Sequence, residues 1–293
     1  MAKNRPTGRR FRNEPAAGEF RAEQQGFRMT RHAPLAALCF AAATALASPA
    51  YAQNDGASSE KRTRVILGPQ LSPSWPGSKD LSIGPYIDVS RERVGTEFTF
   101  EAADESFGGP LIQTGDFAFG PSLGFIGKRT AADIGADLPK VGFSFEVGGF
   151  AQVNLTPALR VRVEGRKAVS GHKGWTGEVS ADYVARQGDD WLFSIGPRVT
   201  LGDAKYKNAY FGVTPAAAAT SGLAAYDVDG GIQSVGVTAG YHRMLGRRWG
   251  VAVYGRYDRL VGDAADSPIT RQLGSRSQPS VGVALSYTFG GGR

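Results

Sequence analysis

The sequence predicts an all-β protein: an antiparallel transmembrane β-barrel of about 12 strands, with a short helix in one long external loop. Three observations carry that reading. Alternating apolar and polar residues recur along the chain after residue 63, often over stretches longer than the usual soluble strand of about five or six residues. Tight joins between these stretches alternate with long ones. Residues 53–293 contain no apolar run long enough for a spanning helix, and mean hydropathy is −0.24, so strands are the only elements left to span. The 40 glycines and 10% aromatics of the 293 residues suit strands and turns.

The first element is not part of the barrel. Residues 1–28 are rich in Arg and read as an upstream misassigned or disordered extension. From Met29 the chain runs "MTRHAPLAALCFAAATALASPAYAQ". Arg31 and His32 give a basic start, 33–47 an apolar segment, and Ala50-Tyr51-Ala52 a small-x-small cleavage site. That is a secretory signal peptide over 29–52, with the mature chain expected to start at Gln53. Cys39, the sole cysteine, lies inside the signal behind Leu38, where a lipoprotein site needs a small residue, so the mature chain is expected to be thiol-free. The charge follows the same division. Eight Lys/Arg and three Asp/Glu lie in 1–52, leaving 26 basic and 24 acidic residues beyond. The pI near 9.6 therefore gives no case for a nucleic-acid partner.

Residues 53–63 ("QNDGASSEKRT") form a polar periplasmic tail, and the barrel occupies 64–293. Strands are expected at 64–72, 80–89, 94–101, 107–113, 115–128, 140–154, 157–170, 175–186, 190–202, 231–245, 248–260 and 278–289. In "VGFSFEVGGFAQVN" (141–154), Val141, Phe143, Phe145, Val147, Ala151 and Val153 share a face. Ser144, Glu146, Gln152 and Asn154 share the other, where Phe150 is the large apolar intruder. With lipid on one side and the lumen on the other, Arg should be tolerated at Ser144 but not at Phe145. The joins at 154–157, 187–190 and 245–248 are tight; those at 129–139, 203–230 and 261–277 are long, with 170–174 the short exception. Turns in the periplasm and loops outside are the habit of an outer-membrane barrel. Trp191, Trp249, Tyr287 and Phe289 fall at strand ends on the tight-turn side, where an aromatic girdle belongs. A soluble β-sandwich explains the alternation equally well. It does not explain the long strands or the turn–loop asymmetry.

The polar faces place Glu146, Arg160, Arg162, Glu164, Arg166, Glu178, Asp182, Arg186, Arg198, Arg256 and Asp258 in the lumen. They either line a solute path or form an interlocking ion-pair network. Mixed signs at close spacing favour a filled, closed or nearly closed barrel, because buried charges need partners. In the 203–230 loop, Thr214 can cap a helix, Pro215 fits its first position, Ala216–Ala219 favour it and Gly222 can end it.

This loop and residues 259–289 resemble the MipA/OmpV family. The resemblance is carried by Tyr210-Phe211-Gly212-Val213, Ser221-Gly222-Leu223, Ala225-Tyr226-Asp227, Gly262-Asp263-Ala264-Ala265-Asp266-Ser267-Pro268-Ile269 and Gly274-Ser275-Arg276. It implies a barrel in the outer membrane of a Gram-negative cell. The name-giving member is a scaffolding partner of a murein-degrading lytic transglycosylase and a murein synthase. The chain departs from the usual terminal aromatic, since Gly290-Gly291-Gly292-Arg293 follow Phe289.

Chemistry is thin. The mature chain contains no HExxH, phosphate loop or GxSxG, and only His172 and His242 remain as histidines. The Ser-x-x-Lys matches Ser58–Lys61 and Ser170–Lys173 lack a helix start and read as chance. His172, in an expected external loop, and His242, facing the lumen, read as ordinary polar residues. Asp227, Asp229, Asp263 and Asp266 could gather around a hard cation, but Asp is frequent in turns for local backbone bonding. No cofactor, metal or catalytic residue is expected. The favoured function is a non-enzymatic envelope scaffold in contact with outer-membrane lipid, linking murein-remodelling enzymes; a small-solute channel comes second and a barrel hydrolase last.

Overall fold

The structure, a computed structural model, describes Met1 and residues 60–290. The signal segment with Cys39, the cleavage site after Ala52, Ser58 and the last three residues lie outside the described residues.

Eleven antiparallel strands form one sheet in the order β2-β1-β11-β10-β9-β8-β7-β6-β5-β4-β3. They are β1 Lys61–Pro73, β2 Leu81–Arg93, β3 Ile112–Thr114, β4 Phe117–Ile126, β5 Ser144–Thr156, β6 Leu159–Ala168, β7 Trp175–Gln187, β8 Trp191–Gly202, β9 Gly231–Met244, β10 Trp249–Leu260 and β11 Ser277–Phe289. Most run 10–14 residues, enough to cross a bilayer obliquely. First and last strands pair, with Thr63 opposite Phe289 and Leu71 opposite Val281, as a barrel requires. The terminal strands of the order, β2 and β3, are not paired with each other, so a seam stands between them.

That seam has a cause in the chain. The expected strand at 94–101 does not form. Residues 94–106 turn inward, and Phe98 and Ala102 are buried. The chain rejoins the wall at Phe107, which exchanges backbone hydrogen bonds with Leu123. We call 94–106 the strap. Its inward course leaves eleven strands where the alternation suggested about 12.

The two faces of the sheet differ as a barrel's must. Leu67, Ile83, Val163, Val179, Val237, Val253, Val283 and Leu285 point outward and are 40–63% exposed. Residues one step along each strand are polar and buried, Ser180, Asp182, Arg198, Thr238 and Ser286 among them. Phe150 points inward as the pleat dictates. Arg162 lies 3.6 Å above its ring, so the apolar intruder serves as a cation–π partner in the lumen. Its room comes from Gly120, where an added Cβ would sit 2.8 Å from the Phe150 ring.

Both ends of the strands carry aromatics. At the turn end Trp249, Tyr287 and Phe289 stack edge to face at centroid distances of 4.7 Å. At the loop end Phe125 packs with Phe107, Phe143 and Phe145 on the outer surface. Such paired belts suit the two interfaces of a bilayer.

The long joins fold into a cap over the loop end. It includes α1 Ala131–Ile134, α2 Ala204–Phe211, α3 Pro215–Ser221, α4 Gly262–Asp266 and a π-helical turn Ile269–Leu273. Helix α3 forms where its sequence signals place it. The Thr214 side chain accepts from the Ala217 N–H, Pro215 opens the helix and Gly222 closes it at φ 75°. Helix α2, capped by Asp203, was not foreseen.

Candidate functional site: the filled lumen and its cap

The inward charges form a cluster at the turn end and a longer network from mid-barrel to the loop end, both tied to the strap. At the turn end, Asp189 accepts from the Phe98 N–H at 3.0 Å and pairs with Arg62 and Arg186, while Arg186 also donates to the Phe98 carbonyl at 2.9 Å. Midway, Arg160 donates to the Phe100 carbonyl at 3.1 Å and to Asp182 at 2.7 Å, and pairs with Glu105. Asp182 receives Arg198 at 2.8 Å. Arg198 also places two bonds on Asp104, at 2.9 and 3.0 Å. Asp104 further accepts from Arg256 at 2.8 Å and Thr238 at 2.6 Å. Arg256 continues to Glu178 at 2.8 Å and to Asp258. Further along β6 Arg162 meets Glu164 at 2.7 Å, Glu164 accepts from Ser106 at 2.6 Å, and Arg166 pairs with Glu164 and, at 2.9 Å, with Glu146. Buried carboxylates in this arrangement need every one of these donors, since an unpaired charge in a dry interior is costly.

Three acids of this network lie in or beside the strap rather than on any strand: Asp104, Glu105 and, through Asp88 and Arg64, Glu101. Sequence reasoning missed them because "EFTFEAADES" (97–106) alternates like a strand. Its signal was charge: four carboxylates in ten residues, set against strand faces with more Arg than acid.

At the loop end the network closes on the cap. Glu146 is fully buried and accepts from Thr176 at 3.1 Å, with His172 Nε2 at 2.9 Å. His172 is no exposed loop residue. It is 4% exposed, its Nδ1 accepts the Gly174 N–H at 3.0 Å, and its ring meets Tyr206 edge-on. Tyr206, Tyr210 and Phe211 open the apolar core of the cap with Trp75, Ile134, Val228 and Ile269. Arg129 reaches into this core, donating to the carbonyls of Tyr210 at 2.8 Å and Pro139 at 3.0 Å. Burial pushes the Arg129 guanidinium down to about 10 and the Tyr210 phenol up to about 12.

The loop motif residues knit this cap together. Gly212 ends α2, its N–H bonded to Asn208. Tyr226 pairs its backbone with Val213 and donates its hydroxyl to the Asp263 carbonyl at 3.2 Å. Gly262 opens α4 at φ 51°. Ser267, fully buried between Asp266 and Pro268, donates to the Phe211 carbonyl at 2.6 Å. Gly274 lies so close to Gly77 that an added Cβ would meet the Gly77 oxygen at 2.2 Å, and the Ser275 N–H bonds that same oxygen. Arg276 clamps the Ala265 carbonyl and Asp266. Asp227 and Asp229 are exposed, and the four loop Asp residues do not converge; no metal-holding cluster occurs among the described residues.

His242 bonds Ser286 at 2.8 Å, and Ser286 is completely buried under the wall. Ser170 bonds backbone at Phe143 and Phe145, in a turn with Lys173 rather than at a helix start.

With this geometry in place, the family model described as MltA-interacting protein MipA matches residues 65–289. The chain belongs to the MipA family. The match spans every strand of the MipA barrel as well as its cap, so wall and lid are parts of one family unit. No curated protein matches in sequence. Similar solved structures include OmpT, an outer-membrane protein of Vibrio cholerae (8% identity, 81% of this chain and 100% of that chain, TM-score 0.32). A bacterial polysaccharide outer-membrane secretin (10%, 80% and 99%, 0.35) and the CymD monoaromatic hydrocarbon channel (12%, 79% and 88%, 0.32) are also similar. Likeness at those scores carries no argument about what this chain does. Family and architecture together make it an outer-membrane β-barrel protein.

Proposed function

We propose that this MipA-family barrel is a non-enzymatic scaffold of the cell envelope, exported by a signal peptide cleaved after Ala52, with its cap outside and its tight turns in the periplasm. The carrying observation is the filled lumen: strap and ion pairs occupy the space a solute would need. Ser286, bonded to His242, is completely buried in the wall. A barrel with a filled lumen has its two mouths left to work with. The family description names an interaction with MltA, and a murein-remodelling enzyme would meet the turn end.

The test is photo-crosslinking in intact cells from exposed turn positions Asp190 and Arg247, against Ala216 in the cap as control. Capture of murein-remodelling enzymes from the turns and not from the cap is the expected result. Capture from neither end, with the barrel folded, removes the scaffold reading. The runner-up is a small-solute channel, which the strap and its ion pairs across the mid-lumen disfavour.

A further inference from the structure

The turn-end mouth of the lumen holds a cavity of about 200 Å³ lined by Arg62, Arg64, Phe98, Asp189, Arg247 and Thr288, with Asp190, Met244 and Gly246 completing its rim. Its cations are unequally employed. Arg62 pairs with Asp189 and bonds the Thr96 carbonyl. Arg64 makes no direct hydrogen bond or ion pair among the described residues; the Phe98 ring lies 4.4 Å from its guanidinium carbon, and Asp88, Asp189 and Glu101 act on it only through space. The Nε atoms of both Arg62 and Arg64 are buried without a partner. Elsewhere in this lumen a guanidinium reaches at least one carboxylate, so Arg64 stands out. A buried donor left unmade costs stability, and such an exception calls for an explanation, an absent anion being the simplest.

We propose that this cavity binds a carboxylate of a peptide or small acid, held by Arg64 and Arg247. The site already shows that it accepts the group: Asp189 sits in its wall with Arg62, Arg186 and the Phe98 N–H on its two oxygens. Arg64 feels Asp88, Asp189 and Glu101 only through space, with no carboxylate in hydrogen-bonding contact, and Arg247 stands on the rim beside Asp190, which is exposed and so well screened. The volume is below the roughly 300–1,000 Å³ of sites for drug-sized ligands. It fits a carboxylate with one small residue behind it. A lipid headgroup is the less suitable occupant, because the cavity opens on the inner face, among Thr288, Met244 and the strap, and away from the apolar outer surface. The binding itself is independent of sidedness; the source of the carboxylate, a periplasmic peptide or protein terminus, rests on the orientation proposed above.

The experiment uses the full mature chain, folded in non-ionic detergent, and titrates calorimetrically an acetylated tri-alanine with a free carboxyl terminus and its amide twin. The free acid should bind and the amide should bind about tenfold or more weakly, the loss of a charge-assisted hydrogen bond. Arg64→Gln should abolish binding of the acid. Arg247→Ala, at an exposed turn position where folding is not at stake, should weaken it severalfold. Equal binding of acid and amide, no binding of either, or unchanged binding by folded Arg64→Gln overturns the proposal. Displacement of the peptide by micelles doped with anionic lipid, dependent on Arg64, would transfer the site to lipid phosphate and overturn the peptide assignment. A failure of the scaffold reading leaves all these outcomes untouched.

Discussion

Val163 stands 50% exposed on the outer face of β6, while its neighbour Glu164 points into the ion-pair network. An Arg there faces lipid near mid-strand, at a cost of about 2–4 kcal/mol. Val163→Arg should therefore reduce the folded, heat-modifiable fraction recovered from outer membranes, with Val163→Leu unchanged. The inner face is no more forgiving. Ser144, where the alternation suggested tolerance for Arg, is fully buried and its Oγ accepts the His172 N–H. Periodicity reads which way a side chain points but not how full the space is on that side. Asp104 makes the sharpest residue test. Asp104→Ala removes one carboxylate from Arg198, which keeps Asp182, one from Arg256, which keeps Glu178 and Asp258, and the acceptor of Thr238, and breaking a buried pair costs about 3–5 kcal/mol. The midpoint of urea unfolding in micelles should fall accordingly, and far less for Asp227→Ala on the exposed loop. The cap offers a titration. Burial raises the Tyr210 phenol from its ordinary 10.0 to about 12, so its neutral form is the one that the fold favours. Its contribution is complete below pH 10 and is lost as pH rises through about 12. The tyrosinate absorbance difference between wild type and Tyr210→Phe should stay flat through pH 10 and rise only towards pH 12.

Among the elements, the long strands were the most legible, because a lipid face and a polar face impose period two over ten or more residues. Helix α3 was legible too, since Thr214, Pro215 and Gly222 each supply a backbone need at a fixed offset. The strap was not. Phe98 and Phe100 alternate with Glu97, Thr99 and Glu101 as a wall strand would. Yet those aromatics are wanted inside, under Arg62, Arg64 and Arg160, rather than in lipid. The distinction lies in partners far along the chain, which local pattern does not contain. His172 escaped for the same reason. It lies in a short join, and only the pairing of β5 with β6 brings Glu146 beneath it.

At the scale of the whole molecule, three layers divide the work: an apolar outer surface, a charged interior filled by the strap, and an apolar cap built from the loop motifs. The strap is the one part of the filling that is not wall. Its carboxylates hold Arg160, Arg162, Arg198 and Arg256, and its Phe98 holds Arg62 and Arg64. Without it the lumen would be wider and its wall Arg residues would slightly outnumber the wall carboxylates, a path that leans towards anions. The central claim, that this barrel is sealed by its own chain and so acts through its ends, is tested most directly by conductance in planar bilayers. The wild-type protein should give no steady ionic current, whereas a variant with residues 97–105 replaced by a Gly-Ser linker should open pores with reversal potentials of anion selectivity. Stable channels from the wild type, matching those of the variant, would contradict the account.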